Sequence, residues 1–212
     1  MITEISINQI LKQLTRQLDM FFILSERERE VVKENIEIVI DRCEKCFAGN
    51  SNKYYWKMND TGITESYFNP YHSAQYTIFL YYFSNTIFKI GNKILADKIY
   101  YLNKIMNGCD IYHEVELPDI FSLDHPVGSV IGRAKYENNF TFGQNCTVGN
   151  NKGIYPIIGF SVKMCSGTSI IGNCNIGNNV ILGAGTLVKD QDIPSNSIVF
   201  GSSPNLIIKQ KK

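Results

Sequence analysis

A step of six governs the second half of this chain. Ile158, Met164, Ile170, Ile176, Leu182 and Val188 are apolar at that interval, glycine follows at 159, 177 and 183, and Phe142-Gly143 and Val148-Gly149 keep the same step upstream. A four-residue slippage around Asn150–Pro156 separates the two blocks and predicts a loop thrown out of the stack. Neither the 3.6-residue period of a helix nor the alternation of an ordinary strand fits; a hexapeptide step marks a parallel β-helix. Each hexapeptide supplies one short strand and one corner, and its aliphatic side chain points into a prism where successive turns stack into one core. Three hexapeptides close a turn of roughly eighteen residues, so residues 110–200 supply about five turns. Twelve of the sixteen glycines follow residue 127, and the only charges between Asn138 and Val188 are Lys152 and Lys163. Gly and Asn suit corners because left-handed backbone costs them least; Asn150-Asn151 and Asn178-Asn179 are expected there. A β-sandwich would instead need hairpin turns every 8–12 residues or so.

The first 108 residues obey a different rule and read as an all-α domain, giving an α+β chain divided at 1–108 and 109–212. Ile7, Ile10, Leu11, Leu14, Leu18, Phe21 and Phe22 recur at helical spacing. Ser25-Glu-Arg-Glu28 is a capping box opening a second helix with Val31, Val32, Ile36, Val39, Ile40 and Cys43 on one side. Residues 49–68 read as a loop. Asn69-Pro70 looks like an N-cap and first-turn proline ahead of the aromatic-rich Tyr71–Ile90, too apolar for a solvated helix. Gly91 punctuates it, and a last helix over Lys93–Asn107 ends at Gly108.

Twenty-one basic against twenty acidic residues leave a net charge of +1, with no basic run before Lys209–Lys212, so no nucleic-acid footprint is present. The N-terminus lacks a signal-peptide pattern and no apolar stretch approaches the ~20 residues needed to span a bilayer, so a cytoplasmic protein with no membrane partner is expected. Six cysteines do not make a disulfide framework, and Cys43-Glu-Lys-Cys46 reads as a coincidence on a helix surface rather than a metal or redox pair.

Only His72, His113 and His125 can supply imidazole chemistry. His125 follows Asp110 by fifteen residues, which nearly closes a turn, so the two can lie side by side at one edge of the prism. A carboxylate beside an imidazole fixes its tautomer and stabilises its protonated form, the arrangement of a general base. A surface or core histidine of no catalytic role is the alternative at this point, because a fold position by itself implies no function.

Asp110-Ile111, followed at that interval by Leu123-Asp124-His125-Pro126-Val127-Gly128, resembles the Asp-Ile-His-Pro and Leu-Asp-His-Ala-Thr-Gly segments of the serine acetyltransferases. Glu137-Asn138 through Gln144 to Thr147-Val148-Gly149, Leu182-Gly183-Ala184-Gly185, Gly201-Ser202-Ser203-Pro204 and Tyr71-His72-Ser73-Ala74-Gln75 are similar to further segments of that family, so the resemblance covers roughly residues 69–209. It implies a helical N-terminal domain followed by a left-handed β-helix, and acetyl-CoA as co-substrate with no metal. His125 would be the catalytic base, Asp110 its orienting carboxylate, and Asp124 an acceptor contact. Coenzyme A would lie in the groove between adjacent prisms, along Ser166-Gly167 and Ala184-Gly185, with Lys189, Lys209 and Lys211 near its phosphates; a solvated tail is the other reading of the lysines. A groove between prisms implies a homotrimer, and the helical halves could pair trimers into a hexamer.

The departures from the family concern the acceptor. The loop that carries Arg and His in the family is Asn150–Pro156 here, with neither, and an acceptor-contacting Asp is Asn69. Both ends of an amino acid thereby lose a partner. Three readings follow: a serine O-acetyltransferase, an O-acetyltransferase acting on a sugar hydroxyl (a polysaccharide or nucleotide-linked sugar), and a non-catalytic scaffold or metal-dependent hydratase. A hydratase would need about three convergent His ligands, and the repeat region holds only His113 and His125.

Overall fold

Sequence period becomes three columns of inward side chains. In the computed structural model, which describes residues 1–211 and so leaves Lys212 of the terminal basic run outside, one column is Ile111, Ile131, Val148, Ile170 and Val188. The second is Leu123, Phe142, Met164, Leu182 and Val199, and the third Tyr136, Ile158, Ile176 and Ile193. All are buried. Burying one such side chain stabilises by roughly 1.5–3 kcal/mol, and because every column continues from rung to rung, the gain is shared between neighbours along the stack. The result is a parallel β-solenoid of about five turns.

Register follows the slippage in the sequence. Met164 faces Leu182 and Ile170 faces Val188, 18 residues apart, whereas Phe142 faces Met164 and Val148 faces Ile170 at 22. The four extra residues form a tight hairpin in which Asn151 and Ile154 exchange backbone hydrogen bonds of 3.1 and 3.0 Å. Its tip is Lys152-Gly153, both left-handed at φ 52° and 78°, which suits a two-residue hairpin loop. Asn179 takes the expected left-handed corner (φ 56°), but Asn150 and Asn151 do not; Lys152 and Gly153 do so in their place. At the chain's end, the strand Ser197–Ser202 turns back antiparallel as Asn205–Gln210.

The chain divides into two compact units, Met1–Asn107 and the remainder from Gly108. The first holds helices α1 (Ile7–Phe21), α2 (Glu26–Ala48), α3 (Ser73–Lys89) and α4 (Lys93–Asn107). The Ser25 capping box forms: the Glu28 carboxylate accepts from the Ser25 N–H at 2.8 Å, and the Ser25 hydroxyl accepts from the Glu28 N–H at 3.2 Å. α3 is apolar nearly all round and buried from Ala74 to Ile87, as such a helix must be. Its polar Asn85 and Thr86 accept hydrogen bonds of 2.9 and 2.7 Å from the Arg42 guanidinium on α2. Gly91 and Gly108 leave α3 and α4 in left-handed conformation, φ 88° and 59°.

Three expectations for this unit are corrected. Residues 49–68 are not simply loop: Trp56–Met58 and Thr64–Phe68 form an antiparallel hairpin, and Ile2–Thr3 adds a parallel third strand. The Asn59 side-chain oxygen accepts from the Thr61 and Ile63 N–H groups and Gly62 is left-handed, which together make the turn. Secondly, α3 is capped by His72 rather than Asn69 and begins three residues after Pro70, because Asn69 to His72 forms a separate turn. Finally, Cys43 and Cys46 are not on a helix surface; both are fully buried in the core facing of α2, and burial pushes the Cys43 thiol well up. Among the described residues, no helix is long and apolar enough to cross a membrane.

Candidate active site

Four corners of the solenoid stack at a single edge: residues 124–129, 143–146, 165–168 and 183–186. Backbone bonds tie each to the rung below, from Asp124 N–H to the Phe142 carbonyl (3.0 Å), Gly143 to Met164 (3.0 Å), Cys165 to Leu182 (3.0 Å) and Gly183 to Val199 (2.8 Å). The lower three corners are four residues long. The first is six, and the two extra residues must stand out from the prism. His125 is one of them. Its backbone is left-handed at φ 51°, its carbonyl accepts from the Val127 N–H at 2.8 Å, and its side chain is 90% exposed. Left-handed backbone is uncommon outside glycine, though His is among the residues that adopt it most readily.

Asp124 reaches His125 with Oδ1 3.8 Å from Nε2, an ion-pair distance once the imidazole is protonated and too long for a hydrogen bond. Asp110 enters the same corner from the other side. Its N–H donates to the Ser129 carbonyl at 2.8 Å, it pairs in register with Val130, and the Gly108 carbonyl just before it accepts from the Gly128 N–H at 2.8 Å. The backbone of Asp110 therefore lies against the far end of the turn that carries His125.

Below His125 the edge stays narrow. Gly167 and Gly185 are left-handed (φ 70° and 72°); a Cβ on Gly185 would meet nothing within 4 Å. Their N–H groups are spent on the ladder, donating to the Gln144 and Ser166 carbonyls at 2.8 and 2.9 Å. The N–H groups of Ser166 and Ala184 are different. Among the described residues neither donates to any protein acceptor, so the residue preceding each glycine is the one that offers an amide outward. The pairing of free amide with left-handed glycine cannot be read from a sequence, because it depends on which carbonyls the next rung supplies.

The lysines separate. Lys209 lies 5.9 Å over the Phe200 ring, and Phe200 packs where a Cβ on Gly183 would fall, 2.5 Å away, so Lys209 reaches the lower end of this edge. Lys189 ends the strand Leu187–Lys189, away from these corners, beside Asp190 and with its N–H donating to the Ser203 hydroxyl at 3.0 Å. Lys211 donates to the Asn179 side chain. Asn69 belongs to the helical unit; its side-chain oxygen accepts from the Tyr71 N–H at 2.9 Å, and its amide NH2 donates to no acceptor among the described residues. No group of three or more His, Cys, Asp or Glu side chains among the described residues could hold a metal ion.

No family model matches the chain. A putative serine acetyltransferase of Schizosaccharomyces pombe is 28% identical over 140 residues, which is 64% of this chain and 50% of that protein. A serine acetyltransferase of Staphylococcus epidermidis is 29% identical over 145 residues, 66% of this chain and 67% of that protein. A serine acetyltransferase solved in complex with CoA superposes with a TM-score of 0.66 at 19% identity, over 85% of this chain and 75% of that one. The chain is similar to serine acetyltransferases.

The chain spans half the length of the fission-yeast protein and about two thirds of the staphylococcal one. The structural likeness, at 19% identity, extends to the fold. Within the solenoid, the short Lys152-Gly153 hairpin lies outside the four corners of the narrow edge.

Proposed function

We propose that this chain is an acetyl-CoA-dependent O-acetyltransferase of the serine acetyltransferase type, with His125 as general base. One observation carries the reading: a single prism edge gathers an exposed imidazole on an enlarged corner and, below the intervening 143–146 corner, two steps where small residues leave amide N–H groups free among the described residues. The Ser166 and Ala184 amides suit the carbonyls of the pantetheine arm, and Lys209 at the lower end suits a phosphate. His125 takes the proton from an acceptor hydroxyl as its oxygen bonds to the thioester carbonyl carbon. The tetrahedral intermediate then expels the CoA thiolate, which recovers that proton from the imidazolium, so acceptor ester and free thiol leave in equal amounts. Asp110 orients the imidazole and Asp124 contacts the acceptor. A positioned base of this kind contributes roughly 10²–10⁴-fold, about 3–5 kcal/mol, and holding the two reactants together supplies much of the rest. The groove is completed by a neighbouring prism in a homotrimer, which the helical units pair into a hexamer.

A second acceptor class is favoured by two observations. The hairpin at 150–156 presents Lys152-Gly153 and no Arg or His, and Asn69 is an uncharged amide with no carboxylate to pair with an amino group. Both suit a neutral sugar hydroxyl better than a zwitterion. Thiol release from acetyl-CoA, measured with L-serine, homoserine and a panel of nucleotide sugars, tests the proposal. Saturable release with one class identifies the acceptor, and silence with every acceptor rejects acetyl transfer.

A further inference from the structure

The edge that carries His125 has an inner lining unlike its outer surface. Each of its four corners closes on one small polar residue turned into the prism: Ser129, Cys146, Thr168 and Thr186, none more than 1% exposed. A chain turning a corner leaves carbonyls without ladder partners, and a buried carbonyl left unpaired costs a good part of a hydrogen bond. These side chains meet that need. The Thr186 hydroxyl donates to the Gly183 carbonyl at 2.6 Å. The Cys146 thiol lies 3.2 Å from the Cys165 carbonyl and 3.4 Å from the Thr168 hydroxyl. Of the four, Ser129 alone belongs to the enlarged corner, and it works in both directions: its hydroxyl donates to the Gly143 carbonyl at 2.7 Å and accepts from the Cys146 N–H at 2.9 Å. In the outer part of this corner His125 and Val127 are exposed while Pro126 is buried, and backbone hydrogen bonds join it to the rung below through Val127 and Asn145; the buried Ser129 hydroxyl adds a side-chain hydrogen bond to that rung.

We propose that Ser129 is a positioning residue for His125: it fixes the height and tilt of the enlarged corner above the 143–146 corner, and through it the place of the imidazole over the free amides. The inference rests on the reading of His125 as base. Without the hydroxyl, the Gly143 carbonyl and Cys146 N–H lose their partner, the corner relaxes, and an imidazole displaced by about 1 Å forfeits much of its effect.

The test compares four full-length proteins by thiol release and by thermal melting: wild type, Ser129→Ala, Ser129→Thr and Val180→Ala. Val180 is fully buried at a different edge, so its truncation is a matched loss of stability with no link to His125. Ser129→Ala is expected to lower kcat roughly 10- to 100-fold with the KM for acetyl-CoA within about threefold. Ser129→Thr, which brings to this rung the side chain of Thr168 and Thr186, restores most of kcat. Val180→Ala melts lower but turns over at the wild-type rate. If Ser129→Ala does not fold, Ser129→Cys replaces it, supplying the weaker donor that the next rung already holds; a smaller fall in kcat is then expected, again with KM unchanged. A Ser129 variant that melts lower yet keeps wild-type kcat overturns the proposal, as does a loss in KM alone. Inactive wild-type protein would reject the acetyltransferase reading itself, and the positioning role with it.

Discussion

Replacing Met164 by Ala tests whether the step of six is the source of the solenoid's stability. Met164 is fully buried in the second column between Phe142 above and Leu182 below, 22 and 18 residues away in sequence. Truncation removes three heavy atoms, worth about 2.4 kcal/mol at ~0.8 each, and leaves a cavity that two rigid neighbouring rungs cannot close. A total near 3 kcal/mol is expected, within the range of about 2–5 for such changes. With a urea slope of about 2 kcal/mol/M, the midpoint falls by roughly 1.5 M. The control is its chain neighbour: Lys163 is exposed on the same strand, and Lys163→Ala should stay within about 0.5 kcal/mol of wild type. Both variants are unfolded at one protein concentration, since a subunit equilibrium would shift the midpoint by mass action. Equal shifts for Met164→Ala and Lys163→Ala would refute the reasoning, because inward and outward positions would then be energetically alike.

The α2 capping box gives a pH-dependent counterpart. Burial alone would push the Glu28 carboxyl up, but the Lys98 ammonium at 2.5 Å and the Ser25 N–H and hydroxyl outweigh it and hold the carboxyl below its usual range. A carboxyl lowered on folding adds stability above its unfolded pKa, and that stability is lost as pH falls through the folded value. Glu28→Gln should therefore melt lower than wild type at neutral pH, and the difference should shrink as pH falls below the ordinary Glu value of about 4.3 and vanish only below the lowered folded value; a difference constant with pH contradicts this. Ser25→Ala removes the other half of the box and should cost about 1 kcal/mol by urea titration.

The parts of the molecule that repeat, or that follow one-dimensional rules, were legible in the sequence. Ile158, Met164, Ile170, Ile176, Leu182 and Val188 could be placed in the core from spacing alone, since each rung imposes the same demand on the same position. Ser25 and Glu28 announced α2 because a capping box is local. What escaped depends on contacts distant in sequence. The hairpin after Trp56 is short and weakly patterned, and its turn relies on Asn59 accepting from two N–H groups at once. Cys43 and Cys46 looked superficial because their own helix is rich in charge, whereas burial is decided by the apolar α3. In the candidate site, the small-residue steps were visible, but not that Ser166 and Ala184, rather than Gly167 and Gly185, keep their amides free. Ser129 was missed too. Removing the loop from the count aligns Cys146, Thr168 and Thr186 at one corner position, but Ser129 precedes Cys146 by 17 residues rather than 18, so spacing alone did not place it with them.

Replacing His125 by Asn bears most directly on the account. Asn tolerates the left-handed backbone that this position requires (φ 51°), so the corner keeps its shape while the base is lost. The measurement is kcat for thiol release from acetyl-CoA, with the dissociation constant for CoA determined on the same protein. The account predicts a fall in kcat of at least about 100-fold with CoA affinity unchanged. A variant that turns over at the wild-type rate would contradict it.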